Sequence, residues 1–362
     1  MGDLILLIAG ARPNFMKLAP VRVALDKKFD NVEVVHTGQH YDYEMSQVFF
    51  EDLGIPEPDS YLGVGSGSHA SQTAKIMIQF EKICIERLPK LVVVFGDVNS
   101  TIACSLVAAK MGIPVAHVEA GLRSGDMSMP EEINRIVTDN LSSLLFTTTE
   151  YASDNLSAEG FDKNKVKLVG NVMIDTLINQ TKKIDNSKII EKMGLIPNSY
   201  NLITLHRPAN VDFQNQVERL LSKISRIDTN MRWIFLAHPR TLARLNEFDM
   251  RNKYGNIAII DPLGYNDFSN LLKNSNSIWT DSGGIQEECT HYSVPCFTLR
   301  ENTERPETVT DGSNILVSVG DDFEKLYETT KNRITYPNIP LWDGKSSERI
   351  SEIIEEFVKK SR

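Results

Sequence analysis

Residues 277–288 read SIWTDSGGIQEE: a short apolar run, Ser277-Ile278-Trp279, closes in an Asp-Ser-Gly-Gly turn that leads into a helix-like segment. A strand that gives way through such a turn to a helix is the repeating element of a parallel sheet covered by helices. The turn is expected to present backbone N–H groups at a helix start, from Ser282 to Gly284, where aligned peptide dipoles and unpaired donors suit a phosphate or diphosphate. Gly283 and Gly284 let the backbone approach such a ligand closely. Glu287 and Glu288 follow, and are expected in the first turn as acceptors for sugar hydroxyls. An ordinary acidic helix start, stabilised by the same dipole, would read the same way.

The pattern recurs along the chain. Candidate strands at 4–9, 32–36, 91–95 and 115–119 alternate with helix-like stretches at 17–28, 69–87 and 100–111, and a second series of strands begins at 202–205 and continues at 233–237, 257–260, 277–279 and 295–299. This predicts an α/β protein of two Rossmann-like domains, with parallel sheets facing a central cleft. The polar stretch 179–200 marks the boundary, giving an N-terminal domain over 1–178, a C-terminal domain over 179–345 and a final amphipathic helix over 346–362 that packs on either domain or across both. After the first strand the chain reads Gly10-Ala11-Arg12-Pro13-Asn14 rather than GxGxxG, which argues against a dinucleotide site there.

At 362 residues with 41% hydrophobic content, the chain exceeds what a single core usually serves. A net charge of -9 offers no broad field for nucleic acid, so an anionic ligand would need local donors, for which Arg12, Lys17, Arg123, Arg135, Arg207 and Arg305 are candidates. The four cysteines (Cys84, Cys104, Cys289, Cys296) form no metal-site spacing and read as reduced core residues of a cytoplasmic protein. The run 4–9 is too short for a signal peptide core, and no apolar run approaches the roughly 20 residues of a membrane span.

Ligands of open α/β sheets bind outside the carboxyl ends of the strands. That rule gathers Arg12, Asp97, Glu119 and His206, together with the loop 120–125 that leads to Pro130-Glu131-Glu132 and Arg135. Each has a plainer reading: Asp97 as turn chemistry, Glu131 and Glu132 as an acidic helix start, His206 as a packing histidine. Glu119 closes an apolar run, where a carboxylate is costly unless paired or functional. His117 reads as packing.

As a set, GARPNFMKLAP (10–20), GDVNST (96–101), HVEAGLRSGD (117–126), PEEINR (130–135), LHRP (205–208), TDSGGIQEE (280–288) and ENTERPE (301–307) resemble the non-hydrolysing UDP-N-acetylglucosamine 2-epimerases over nearly the whole chain. The resemblance implies a GT-B-like fold, a homodimer, no metal or redox cofactor, and interconversion of UDP-GlcNAc and UDP-ManNAc through loss and return of UDP. It carries catalytic roles to Asp97, Glu119, Glu131 and His206, and substrate contacts to Arg12, Lys17, Arg135, Ser282, Gly283, Gly284 and Glu288. A hydrolysing epimerase, or an epimerase of a related UDP-acetamido sugar, stays open. Gln39-His40 keeps the start of a pattern through which some bacterial members bind activating UDP-GlcNAc, and Tyr41-Asp42-Tyr43-Glu44 departs from it; His238 matches an activator-site histidine.

Overall fold

Alternating strand and helix periods build two sheets in the computed structural model, which describes residues 3–39, 54, 56–330 and 338–360. His40 and the departure at 41–44 lie outside the described residues. The chain divides into one unit of Met1–Asn179 with Pro340–Arg362 and another of Gln180–Ile339.

In the first unit the order is β1 (Ile5–Ala9), α1 (Arg12–Asp26), β2 (Val32–His36), β3 (Ser60–Tyr61), α2 (His69–Arg87), β4 (Leu91–Phe95), α3 (Asn99–Lys110), β5 (Val115–Ala120), α4 (Pro130–Leu141), β6 (Leu144–Thr147), α5 (Glu150–Ala158) and β7 (Val166–Leu168), after which α6 (Val172–Asp185) runs through the boundary into the second unit. The strands pair in parallel as β3-β2-β1-β4-β5-β6-β7. Strands β1 and β4 are buried throughout, as a sheet covered on both faces requires. The order reverses between β1 and β4, so the crevice for a ligand opens beyond Ala9 and Phe95.

Helix α1 starts at Arg12, earlier than residue 17. The Asn14 side chain accepts from the N–H groups of Gly10 and Ala11, and Pro13 is tolerated in a first turn whose N–H groups have no helical partner.

The second unit continues with α7 (Ile189–Lys192), β8 (Tyr200–Thr204), α8 (Pro208–Val211), α9 (Gln214–Ile227), β9 (Arg232–Leu236), α10 (Pro239–Glu247), β10 (Ile257–Ile260), α11 (Tyr265–Lys273), β11 (Ser277–Thr280), α12 (Gly283–Tyr292), β12 (Cys296–Thr298), α13 (Glu307–Thr310), β13 (Asn314–Leu316) and α14 (Phe323–Thr330). Its parallel sheet runs β10-β9-β8-β11-β12-β13 and reverses between β8 and β11. One core face is aromatic, with Trp279 stacked on Phe297 at 4.4 Å beside Trp233 and Tyr327. Helix α9 buries Val217, Leu220, Leu221, Ile224 and Ile227 at helical spacing.

The last helix, α15 (Ser346–Lys360), belongs to the first unit and packs on α1. Buried Asp175 accepts from the N–H groups of Ser346 (3.1 Å) and Ser347 (2.7 Å), which fixes the start of that helix. Gly121 is equally constrained. Its φ is +78°, and an added Cβ would lie 2.3 Å from the Ala152 carbonyl oxygen. Gly121→Ala is therefore expected to destabilise the protein by roughly 2–5 kcal/mol, combining left-handed strain with overpacking, measured as a lower urea midpoint at unchanged slope.

Candidate active site

In the first unit the chemistry gathers at the reversal point. Thr101 and Asn14 both donate to the Phe95 carbonyl, fixing the end of β4. Gly96 and Asp97 follow. Asp97 accepts from Arg135 Nε at 3.0 Å and Nη2 at 2.6 Å, while Asn134 donates to its backbone carbonyl at 2.8 Å. The third Arg135 nitrogen, Nη1, reaches Glu132 at 2.6 Å. Glu132 also accepts from the N–H groups of Ser124 and Gly125, and so holds the loop after β5 against α4. Burial alone would raise the Glu132 carboxyl, but those amides and Arg135 outweigh it and hold it below its ordinary value. Arg135 is thus a buried clamp on Asp97, not an outward-facing donor. Glu131 is half-buried in the first turn of α4.

Glu119 answers the cost of its burial with an ion pair to Lys17, itself buried. Its backbone sits at φ +75°, and the pairing of β5 with β6 slips between Val118 and Ala120. A bulge at this point re-aims a side chain that regular alternation would send elsewhere, and a non-glycine residue at positive φ stores strain of a kind concentrated at functional sites. Lys17 Nζ also lies against Gly96, where a Cβ would come within 2.9 Å of it.

His117 is a packing residue, fully buried with Nδ1 2.7 Å from Asp139 and Nε2 2.8 Å from the Gly96 carbonyl. Arg123 is engaged by Asp139 and Glu159. Arg12 opens α1; its side chain lies outside the described structure.

In the second unit His206 follows β8 and Asp281 follows β11, the two strands at that sheet's reversal. The imidazole is half exposed, with Nδ1 2.8 Å from the buried Asp281 carboxylate. Helix α12 begins at Gly283, and the cap residue Ser282 makes no side-chain capping bond. The two glycines differ in what surrounds them. A Cβ on Gly284 would meet nothing within 4 Å, whereas one on Gly283 would strike Arg305 Nη1 at 2.7 Å and Glu304 Oε1 at 2.8 Å. Gly284 faces open space suited to an anion, and Gly283 admits the Arg305–Glu304 pair beside the positive end of the helix.

Because the helix starts this late, Glu287 and Glu288 fall in its second turn, a correction to their expected place in the first. Both are buried, and Glu287 pairs with Arg305 at 2.8 Å. Glu288 lies near Tyr265 and Tyr292, where its charge helps raise both phenols beyond the effect of burial. Asp281 was not singled out from the sequence, although it stands in the quoted turn; only its contacts reveal it. No group of three or more His, Cys, Asp or Glu among the described residues is placed to hold a metal ion, and no helix among them is long and apolar enough to cross a membrane.

The sequence profile described as UDP-N-acetylglucosamine 2-epimerase matches residues 23–355. The chain belongs to that epimerase family. A UDP-N-acetylglucosamine 2-epimerase of Methanocaldococcus jannaschii is 45% identical over 96% of this chain and 98% of its own length. The crystal structure of the Methanocaldococcus jannaschii UDP-GlcNAc 2-epimerase in complex with UDP-GlcNAc and UDP superposes with a TM-score of 0.91 at 43% identity, covering 97% of this chain and 99% of that one. A UDP-2,3-diacetamido-2,3-dideoxy-D-glucuronate 2-epimerase of Pseudomonas aeruginosa is 38% identical over 97% of this chain and 99% of its own. Two parallel-sheet α/β units and these epimerase neighbours bear out the GT-B-like fold class.

The ERPE segment of this epimerase-family chain supplies one further titrating group. Burial, with Glu287 and Glu304 adding to it, pushes the Glu307 carboxyl up to about 7. A carboxyl raised on folding binds its proton more tightly in the native state, so its contribution to stability is complete below its ordinary value near 4.5 and is lost as pH rises through 7. Glu307→Gln is expected to raise stability at pH 8 by on the order of 3 kcal/mol and to change it little at pH 4.5. Denaturant midpoints across that range check the sign.

Proposed function

We propose that this chain interconverts UDP-GlcNAc and UDP-ManNAc by reversible epimerisation at C2. The observation that carries the reading is Glu119, a buried carboxylate paired with Lys17 and turned out of strand order by a bulge, one strand away from Asp97. Neither feature improves packing; both suit a carboxylate held in a fixed position for proton transfer. The likeness to an epimerase solved with UDP-GlcNAc and UDP supports the choice of substrate.

The C2 hydrogen lies beside an anomeric carbon, so direct deprotonation would leave an unstabilised carbanion. Elimination avoids it. The proton leaves C2 to a base as the C1–O bond breaks, giving 2-acetamidoglucal and UDP; UDP then adds back to C1 while a proton reaches the opposite face of C2. Asp97, Glu119, Glu131 and His206 are assigned to these proton transfers. The open backbone at Ser282 to Gly284, with Arg12 and Lys17 as further donors, is assigned to the diphosphate, whose negative charge grows as it departs, and Arg135 to holding Asp97 in place beside the substrate. Glu288 is assigned to the nucleoside hydroxyls. No step requires a metal or redox cofactor. Assembly as a homodimer and action in the cytoplasm complete the reading.

A second reading, epimerisation of a UDP-acetamido sugar modified elsewhere on the ring, is favoured by the Pseudomonas aeruginosa relative. Incubation with UDP-GlcNAc in D2O, followed by proton NMR, tests both. The expected products are UDP-ManNAc and UDP-GlcNAc carrying deuterium at C2, with Glu119→Gln folded and slowed roughly 10²- to 10⁴-fold. Free ManNAc with UDP would move the assignment to hydrolysis, and absence of exchange would move it to another sugar.

A further inference from the structure

Asp281 is fully buried and surrounded by donors. Its carboxylate accepts from the His206 N–H at 3.1 Å, the Arg207 N–H at 2.9 Å and Asn210 Nδ2 at 3.0 Å, and His206 Nδ1 stands 2.8 Å away. Burial alone would raise this carboxyl, but the bonds from His206, Asn210 and Arg207 and the imidazole charge hold it below its ordinary value. An ionised carboxylate can only accept, so Nδ1 must carry the proton. In the neutral imidazole Nε2 is then an acceptor, on the edge of a ring that is half exposed.

We propose that Asp281 is the positioning residue for His206: it fixes the Nδ1–H tautomer and turns Nε2 outward as the atom that takes up and returns a proton during epimerisation. The inference rests on the function proposed above. The proton arrives at Nε2 and leaves from Nε2; Asp281 stays ionised and stabilises the imidazolium formed in between. The surrounding chain is built to keep this geometry. Asn210 bonds the Leu299 carbonyl as well as Asp281, Thr241 donates to the Leu205 carbonyl, and Arg207 Nε returns to the Asp281 carbonyl at 3.0 Å. The ends of β8, β11 and β12 are thereby tied to one carboxylate. The same turn supplies the start of α12, so the proton-transfer group and the diphosphate donors share one rigid support.

Two measurements test this, one independent of substrate. In protein labelled with nitrogen-15 histidine, long-range proton–nitrogen correlation reads the tautomer of each ring. The signal lost in His206→Asn is expected to show a protonated Nδ1 and a bare Nε2; a proton on Nε2 of neutral His206 would overturn the proposal without any need for Asp281 to be replaced. In turnover of UDP-GlcNAc, Asp281→Asn is expected to lower kcat roughly 10²- to 10⁴-fold. Its UDP dissociation constant should stay within about threefold of the parent. In a His206→Asn background, Asp281→Asn should then slow the enzyme by no more than about threefold further, because the two residues act as one. Additive losses, or UDP affinity falling as far as turnover, would make Asp281 a loop anchor and contradict the assignment. A wild-type protein inert towards UDP-GlcNAc but with the expected tautomer would sink the proposed substrate while leaving the Asp281–His206 arrangement standing.

Discussion

A carboxylate buried at the end of a β-strand must be met by a cation or by several N–H donors, because removing its charge from water otherwise costs more than a fold of marginal stability can absorb. That requirement organises both units. Partly buried Asp97 is met by Arg135, buried Glu119 by Lys17, and Asp281 by two amides, Asn210 and His206; on helix α4, buried Glu132 is met in the same way by two amides and Arg135. Arg305 stands between Glu287 and Glu304, and Arg300 joins Glu304 at 2.8 Å. A net charge of -9 therefore says little about the site, where most cations of the quoted motifs are already matched to acids.

This pairing also sorts the motif residues by role. Arg135 and Arg123 looked like ligands from the sequence, yet each is bound on more than one side by acids of its own unit. Lys17 is different: its acid partner Glu119 is the residue whose backbone is strained, so a change at either would be felt by the other. Gly283 is small for the sake of Arg305 and Glu304, whereas Gly284 leaves space open. One motif thus serves two ends, and the difference is invisible without coordinates.

Much of the fold was legible because strand and helix periods are strong: 32–36, 69–87, 91–95 and 257–260 coincide with observed elements. The short strands Ser60–Tyr61 and Val166–Leu168 were not recognised, since a period of two needs more residues to show itself. The strand-end rule gathered Asp97, Glu119 and His206 because both sheets reverse beside them. It could not reveal Asp281, whose importance comes from donors distant in sequence, nor that Glu132 rather than its neighbour Glu131 holds the loop. The bulge at Glu119 had no signature in a run of apolar residues.

In the proposed epimerisation, UDP leaves the sugar and returns to it. UDP-GlcNAc bearing oxygen-18 in the bond between C1 and the β-phosphate tests it most directly, with phosphorus NMR of the recovered nucleotide sugar. If UDP departs, its terminal phosphate rotates before re-addition, and the label is expected to scramble into non-bridging positions in both UDP-GlcNAc and UDP-ManNAc. A label that stayed in the bridge while C2 exchanged its hydrogen with solvent would contradict the account.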